Sequence, residues 1–253
     1  MIARALTLRG LAEKAAHALT NLDARALRTA RCLLRHPGEL TAFWMRGVRK
    51  PYVAPFQVFL LANALFFGVQ SLTGEMVLSS SLDSHLYHQD WSELARSLVA
   101  RHLETSKANL EQFSLAFDRA VVLNAKSLVM VMTVPFALLL PLAFLRRPQP
   151  FMLHFVFSLH LYAFLLLLFC VGMVAGKIGA LSGVGGLDVA MVDNVLSVLN
   201  LLVCTVYIYM AVGPVYGANG AWRVVQAAVL AVAVAAIVIG YRFLLFLFTL
   251  YSA

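Results

Sequence analysis

Three polar side chains, Asn63, His160 and Asn200, fall inside long runs that are otherwise almost wholly apolar. An imidazole and two amides can satisfy one another with hydrogen bonds or hold a small ligand. Each lies about eight to ten residues from its end of a run, near one common depth at about 1.5 Å per residue. They form a candidate polar cluster, with His160 as the group able to carry a ligand or a proton. The plainer reading, polar contacts between helices worth about 1 kcal/mol each, leads. Arg242 is the other telling charge. It can pair with Asp193, which is the leading reading, or hold an anionic headgroup.

Other chemistry finds little support. His85, His88, Asp90 and His102 are of zinc-ligand type, but they read as solvated residues of a loop, and no metal is expected. Cys32, Cys170 and Cys204 have neither CxxC spacing nor a disulfide pattern, and read as small apolar residues. HExxH, GxGD and GxSG are missing, Gly183, Gly185 and Gly186 precede no Gly-Lys-Ser/Thr, and His154 and His160 have no facing His pair for haem. No catalytic residue and no cofactor is assigned.

The elements that must position these residues follow from composition. Of 253 residues, 61% are apolar and 13% charged, with mean hydropathy +0.82. A soluble domain runs near half apolar and a quarter charged. The chain is therefore read as an integral membrane protein. A bilayer core of about 30 Å needs roughly 20 apolar helical residues, and unpaired backbone groups in lipid force those residues into helices. Runs free of Asp, Glu, Lys and Arg predict five spans at about 53–72, 127–145, 151–175, 192–213 and 224–248. The expected fold is an all-α membrane bundle. It carries an amphipathic N-terminal segment (1–52) and a small helical segment between the first two spans (73–126).

Charge sets the expected orientation. Ten basic residues precede the first span; Arg146, Arg147 and Arg223 share its side. The other side holds nine of the 12 acids. The positive-inside rule then places the N-terminus in the cytoplasm and the C-terminus outside, in a bacterial inner membrane. The net charge of +8 is thus a topology signal, and no nucleic-acid partner is expected.

Arg25, Arg28, Arg31 and Arg35 fall on one arc of a helical wheel, with Leu27, Ala30, Leu33 and Leu34 opposite, the pattern of a helix resting in headgroups. Asn21 and Asp23 are N-cap candidates, and His36-Pro37-Gly38 should end that helix. Trp44, Arg46, Arg49, Lys50 and Tyr52 make a basic, aromatic entry into span one, suited to lipid phosphates. Pro135 and Pro141 should bend span two. Gly172 with Gly176, and Ala227 with Ala231 and Ala235, should permit close helix packing.

Two stretches together resemble a known family. One is Arg28-Thr29, Leu33-Leu34-Arg35-His36-Pro37-Gly38 and Arg46-Gly47-Val48-Arg49-Lys50-Pro51-Tyr52-Val53-Ala54-Pro55. The other is Lys126-Ser127-Leu128, Val134-Pro135-Phe136, Arg146-Arg147 and His154 through Phe164. The combination resembles a bacterial multi-pass membrane family known only as a domain of unknown function (three-six-six-seven). The resemblance covers roughly residues 25–72 and 124–168. Many members carry a zinc ribbon with paired CxxC motifs. This chain lacks it, so no zinc is implied. The family supplies a class and no activity, and it directs attention to Gly47, Arg49, Tyr52 and Pro55.

The expected function is a non-enzymatic accessory, scaffold or lipid-interacting membrane protein. Its partners would be anionic lipid headgroups at the cytoplasmic face and a second protein or a second copy of the chain. A small transporter using the polar site around His160 is the alternative, weakened because the chain shows no inverted repeat. A lipid-modifying enzyme comes third, since no acid–base pair is visible for it.

Overall fold

The computed structural model describes residues 24–107, 109–181 and 189–253, with the side chains of residues 180–194 outside that description. Asn21, Asp23 and the glycines at 183, 185 and 186 lie outside the described residues. The chain is helical over residues 24–35 (α1), Glu39–Met45 (α2), Pro55–Thr73 (α3), Leu82–Tyr87 (α4), Ser92–Ser106 (α5), Leu110–Leu128 (α6), Thr133–Ala143 (α7), Phe151–Leu181 (α8), Val189–Tyr216 (α9) and Gly220–Ser252 (α10). Among the described residues there is no strand. Five stretches are long and apolar enough to cross a membrane: Pro55–Thr73, Leu110–Ala143, Phe151–Gly179, Val195–Tyr216 and Gly220–Ser252.

Each span begins and ends for a local reason. Pro55 starts α3, where its missing N–H costs nothing and its fixed φ suits the first turn. Gly74 closes α3 at φ 76, a left-handed cap that glycine adopts without strain. Within the second span Pro135 lacks the N–H that would reach the Val131 carbonyl, and its ring crowds that group. The turn before it is tightened to a 3₁₀ helix over Val129–Met132. The irregular turn thus lies ahead of Pro135, while Pro141 sits inside α7.

The central helix is α8. It is 67% buried over its spanning window, against 28–39% for the other four. It packs on α3, α7 and α2, and α10 packs on α9, α6 and α7. The starts of α3, α8 and α10 and the ends of α7 and α9 share one end of the bundle. There Phe144 stacks on Tyr216 with ring centroids 3.9 Å apart, and His154 Nδ1 lies 2.9 Å from the Tyr216 hydroxyl. This is called the basic end below. At the far end α4, α5 and the first turns of α6 cover the last turns of α10, burying Leu82, Leu86, Ala95, Val99, Phe113 and Phe117 with Leu245, Phe246 and Leu250.

Not every small-residue pattern is used. Ala227 and Ala231 are buried as the ridge on α10 predicts. A β-carbon built on Gly172 or Gly176, by contrast, meets open space. The expected close packing at that pair is corrected: no helix among the described residues approaches it.

Candidate functional site

At the basic end α1 is tied to the entry of α3 by two bonds. Arg25 Nη2 donates to the Tyr52 carbonyl at 2.6 Å, and the Val53 N–H donates to Thr29 Oγ1 at 3.0 Å. The face of α1 turned to the protein is therefore Thr29, Cys32 and Leu33, all buried. Leu27 and Leu34, a helical repeat apart, point away from it, 75% and 49% exposed. This corrects the sequence reading, which placed Leu27, Leu33 and Leu34 together on one arc opposite the arginines. The outward leucines run beside exposed Arg28, Arg31 and Arg35, so the free face of α1 is itself amphipathic.

Between α1 and the turn at Tyr52 lies a groove of about 460 Å³, lined by Arg28, Arg31, Cys32, His36, Glu39, Phe43 and Tyr52. Glu39 is its single carboxylate, and Arg46 lies 3.5 Å from it. The Tyr52 ring stacks on Phe43 at 5.5 Å, and the Arg49 guanidinium lies 4.6 Å over the Trp44 ring. Lys50 is exposed. Of the expected headgroup residues, Arg46, Arg49, Lys50 and Tyr52 therefore gather at one end of the bundle, while Arg242 does not belong with them. Burial pushes the Cys32 thiol and the Tyr52 phenol up from their ordinary values.

Deeper in, α2 enters the bundle instead of lying on its surface. Leu40, Thr41 and Ala42 are buried, and α2 packs on both α8 and α9. Thr41 Oγ1 lies 2.8 Å from His160 Nδ1. This corrects the expected cluster of Asn63, His160 and Asn200. His160 is engaged by α2, Asn63 Nδ2 donates to the Lys126 carbonyl at 3.1 Å, and Asn200 is half-buried on α9. No hydrogen bond joins the three among the described residues. Gly38, absent from the expected site residues, is what lets α2 in. It holds φ 84, and a β-carbon there would lie 2.4 Å from the Ala211 carbonyl oxygen. The ten residues after Arg35 carry one charge, Glu39. That paucity is the signal that could have marked the segment as inserted.

A second polar cluster lies at the far end. Arg242 Nη2 donates to Ser80 Oγ at 2.7 Å. The Asp193 side chain lies outside the described residues. Neighbouring Ser79 accepts from Gln70 Nε2 at 2.9 Å, and both are buried. His85 was expected in a loop among solvated residues. It sits instead on α4, 1% exposed, because Leu82 and Leu86 turn that face of the helix inward. Its ring packs on Phe246 at 4.8 Å, and Trp91 Nε1 donates to its Nδ1 at 3.2 Å. Burial first, and the Arg242 charge second, hold its pKa down to about 4. His88 and Asp90 are exposed, and no metal-ligand group forms among the described residues.

Residues 23–67 match a family model described as a protein of unknown function (DUF3667). The matched segment holds α1, α2, the groove residues and the first turns of α3. No curated protein and no solved structure matches the chain.

Proposed function

We propose that the chain is a non-enzymatic accessory protein of the bacterial inner membrane that binds anionic lipid headgroups at its basic end. The carrying observation is the free face of α1: Leu27 and Leu34 outward, Arg28, Arg31 and Arg35 alongside, on a helix anchored to the bundle. Leucines so placed sit among acyl chains while arginines reach phosphates. The groove beneath adds a basic pocket, lined by Arg28 and Arg31, opening where the spans begin. The same charges favour a cytoplasmic N-terminus and an extracytoplasmic C-terminus. The transporter reading has one imidazole nitrogen left to it, since Thr41 engages His160 Nδ1 while Nε2 is buried without a hydrogen-bond partner.

The test is native mass spectrometry of the full chain in lipid-polymer discs of mixed phosphatidylglycerol and phosphatidylethanolamine. The wild type retains the anionic lipid selectively. Removing two juxtamembrane charges in the Arg28→Gln/Arg31→Gln variant loses about 2 kcal/mol, roughly a 30-fold drop in retention. Equal retention of the two lipids, or the same retention by the variant, overturns the reading.

A further inference from the structure

The cluster at the far end is rich in donors and poor in acceptors. The Trp91 indole can only donate, so its bond makes His85 Nδ1 an acceptor and puts the proton of the neutral ring on Nε2. That Nε2–H is buried without a hydrogen-bond partner, and so is the Nε–H of Arg242. Ser80 Oγ accepts from Arg242, which leaves its own hydroxyl proton to be donated elsewhere. The walls are Phe246, Phe117 and Trp91, whose ring centroids lie 4.8, 6.1 and 6.0 Å from that of His85. Among the described residues no carboxylate pairs with Arg242. Asp118, on α6, accepts the Leu82 N–H at 2.8 Å. A part-buried cation without a counter-charge is expensive.

We propose that Ser80, His85 and Arg242 hold a small inorganic anion of the halide class. One anion accepts from all three donors and neutralises the guanidinium. Water accepts fewer bonds and leaves the charge uncompensated. A phosphate, whether free or on a lipid, carries four oxygens and up to two charges, and would leave oxygens unpaired against Phe117 and Phe246. Gln70 Oε1 is a buried acceptor without a hydrogen-bond partner, on the side chain whose Nε2 donates to Ser79, and is not part of the anion's shell.

The test uses the purified full chain exchanged into sodium gluconate and titrated with chloride or bromide at constant ionic strength. The readouts are Tm and the line broadening of the chlorine NMR signal. A ligand that binds only the folded state raises Tm by mass action. The wild type therefore shows a saturable Tm rise and saturable broadening. Ser80→Ala weakens both, Arg242→Met abolishes both, and Arg146→Gln, at an exposed residue of the opposite end outside the groove, leaves both unchanged. Identical behaviour in gluconate and halide overturns the proposal and assigns water to the donors. A response to phosphate but not to halide also overturns it. So does a halide response that survives in Ser80→Ala at wild-type strength, and this comparison holds even where Arg242→Met does not fold.

Discussion

Gly38 and Ala211 touch backbone to backbone: a β-carbon on Gly38 would lie 2.4 Å from the Ala211 carbonyl oxygen and 2.8 Å from its Cα. Space and conformation both demand glycine, because φ is +84. Gly38→Ala must push α2 off α9 and should destabilise by at least about 2 kcal/mol. Gly47 is the control, with φ +79 but nothing within 4 Å of a β-carbon. Gly47→Ala carries only the left-handed penalty of about 1–2 kcal/mol. Thermal unfolding of the two variants in one detergent checks the order.

The Thr41–His160 contact fixes how far α2 enters. Thr41→Val keeps the shape and removes the hydroxyl, leaving the His160 ring, 3% exposed, without its partner. The expected loss is roughly 1–2 kcal/mol. A double-mutant cycle with His160→Phe should show coupling of similar size, since Phe removes the stranded polar group. Additive losses would contradict the contact.

Pro214 and Arg223 form a matched pair. Pro214 sits inside α9 without an N–H, so the Met210 carbonyl loses its helical donor. Arg223, from the first turn of α10, donates through Nη2 to that carbonyl at 3.1 Å and through Nε to the Tyr209 carbonyl at 2.7 Å. Arg223→Met should cost about 1–2 kcal/mol in the native chain. It should cost clearly less beside Pro214→Ala, which restores the helical donor. Urea or thermal melts of the four proteins give the cycle.

His85 predicts a pH dependence of known sign. Its pKa is about 4 in the folded chain against 6.5 when unperturbed. Between those values the unfolded chain binds a proton that the folded chain does not. Stability is therefore full above pH 6.5, falls by up to about 1.4 kcal/mol per pH unit as pH drops toward 4, and levels below that. In gluconate buffer the Tm of wild type should fall across this window more steeply than that of His85→Phe. Parallel curves would contradict the buried, neutral imidazole.

The five membrane-crossing helices were legible because lipid leaves the backbone no other option, and charge-free runs of the right length report it directly. The limits of the sequence show at residues with two-sided environments. Leu27, Leu33 and Leu34 look alike on a wheel. Only the tertiary bonds of Arg25 and Thr29 decide that Leu33 faces the protein while the other two face out. Gly38 reads as a helix stop, which it is, but its contact with Ala211 joins residues far apart in the chain. His85 stands in a polar stretch and so reads as solvated. Leu82 and Leu86, one turn apart on a short helix and flanking the His85 face, were the available hint.

The most direct test of the account is the depth of α1 in a membrane. A bimane label at Leu34→Cys, with Cys32, Cys170 and Cys204 buried and unpaired in disulfides, reports on it in vesicles carrying quencher-labelled lipid. The account predicts strong quenching by quenchers on the upper acyl chain when phosphatidylglycerol is present, reduced when Arg28, Arg31 and Arg35 are replaced by Gln. A label at Leu34 quenched by aqueous iodide and untouched by lipid quenchers would contradict it.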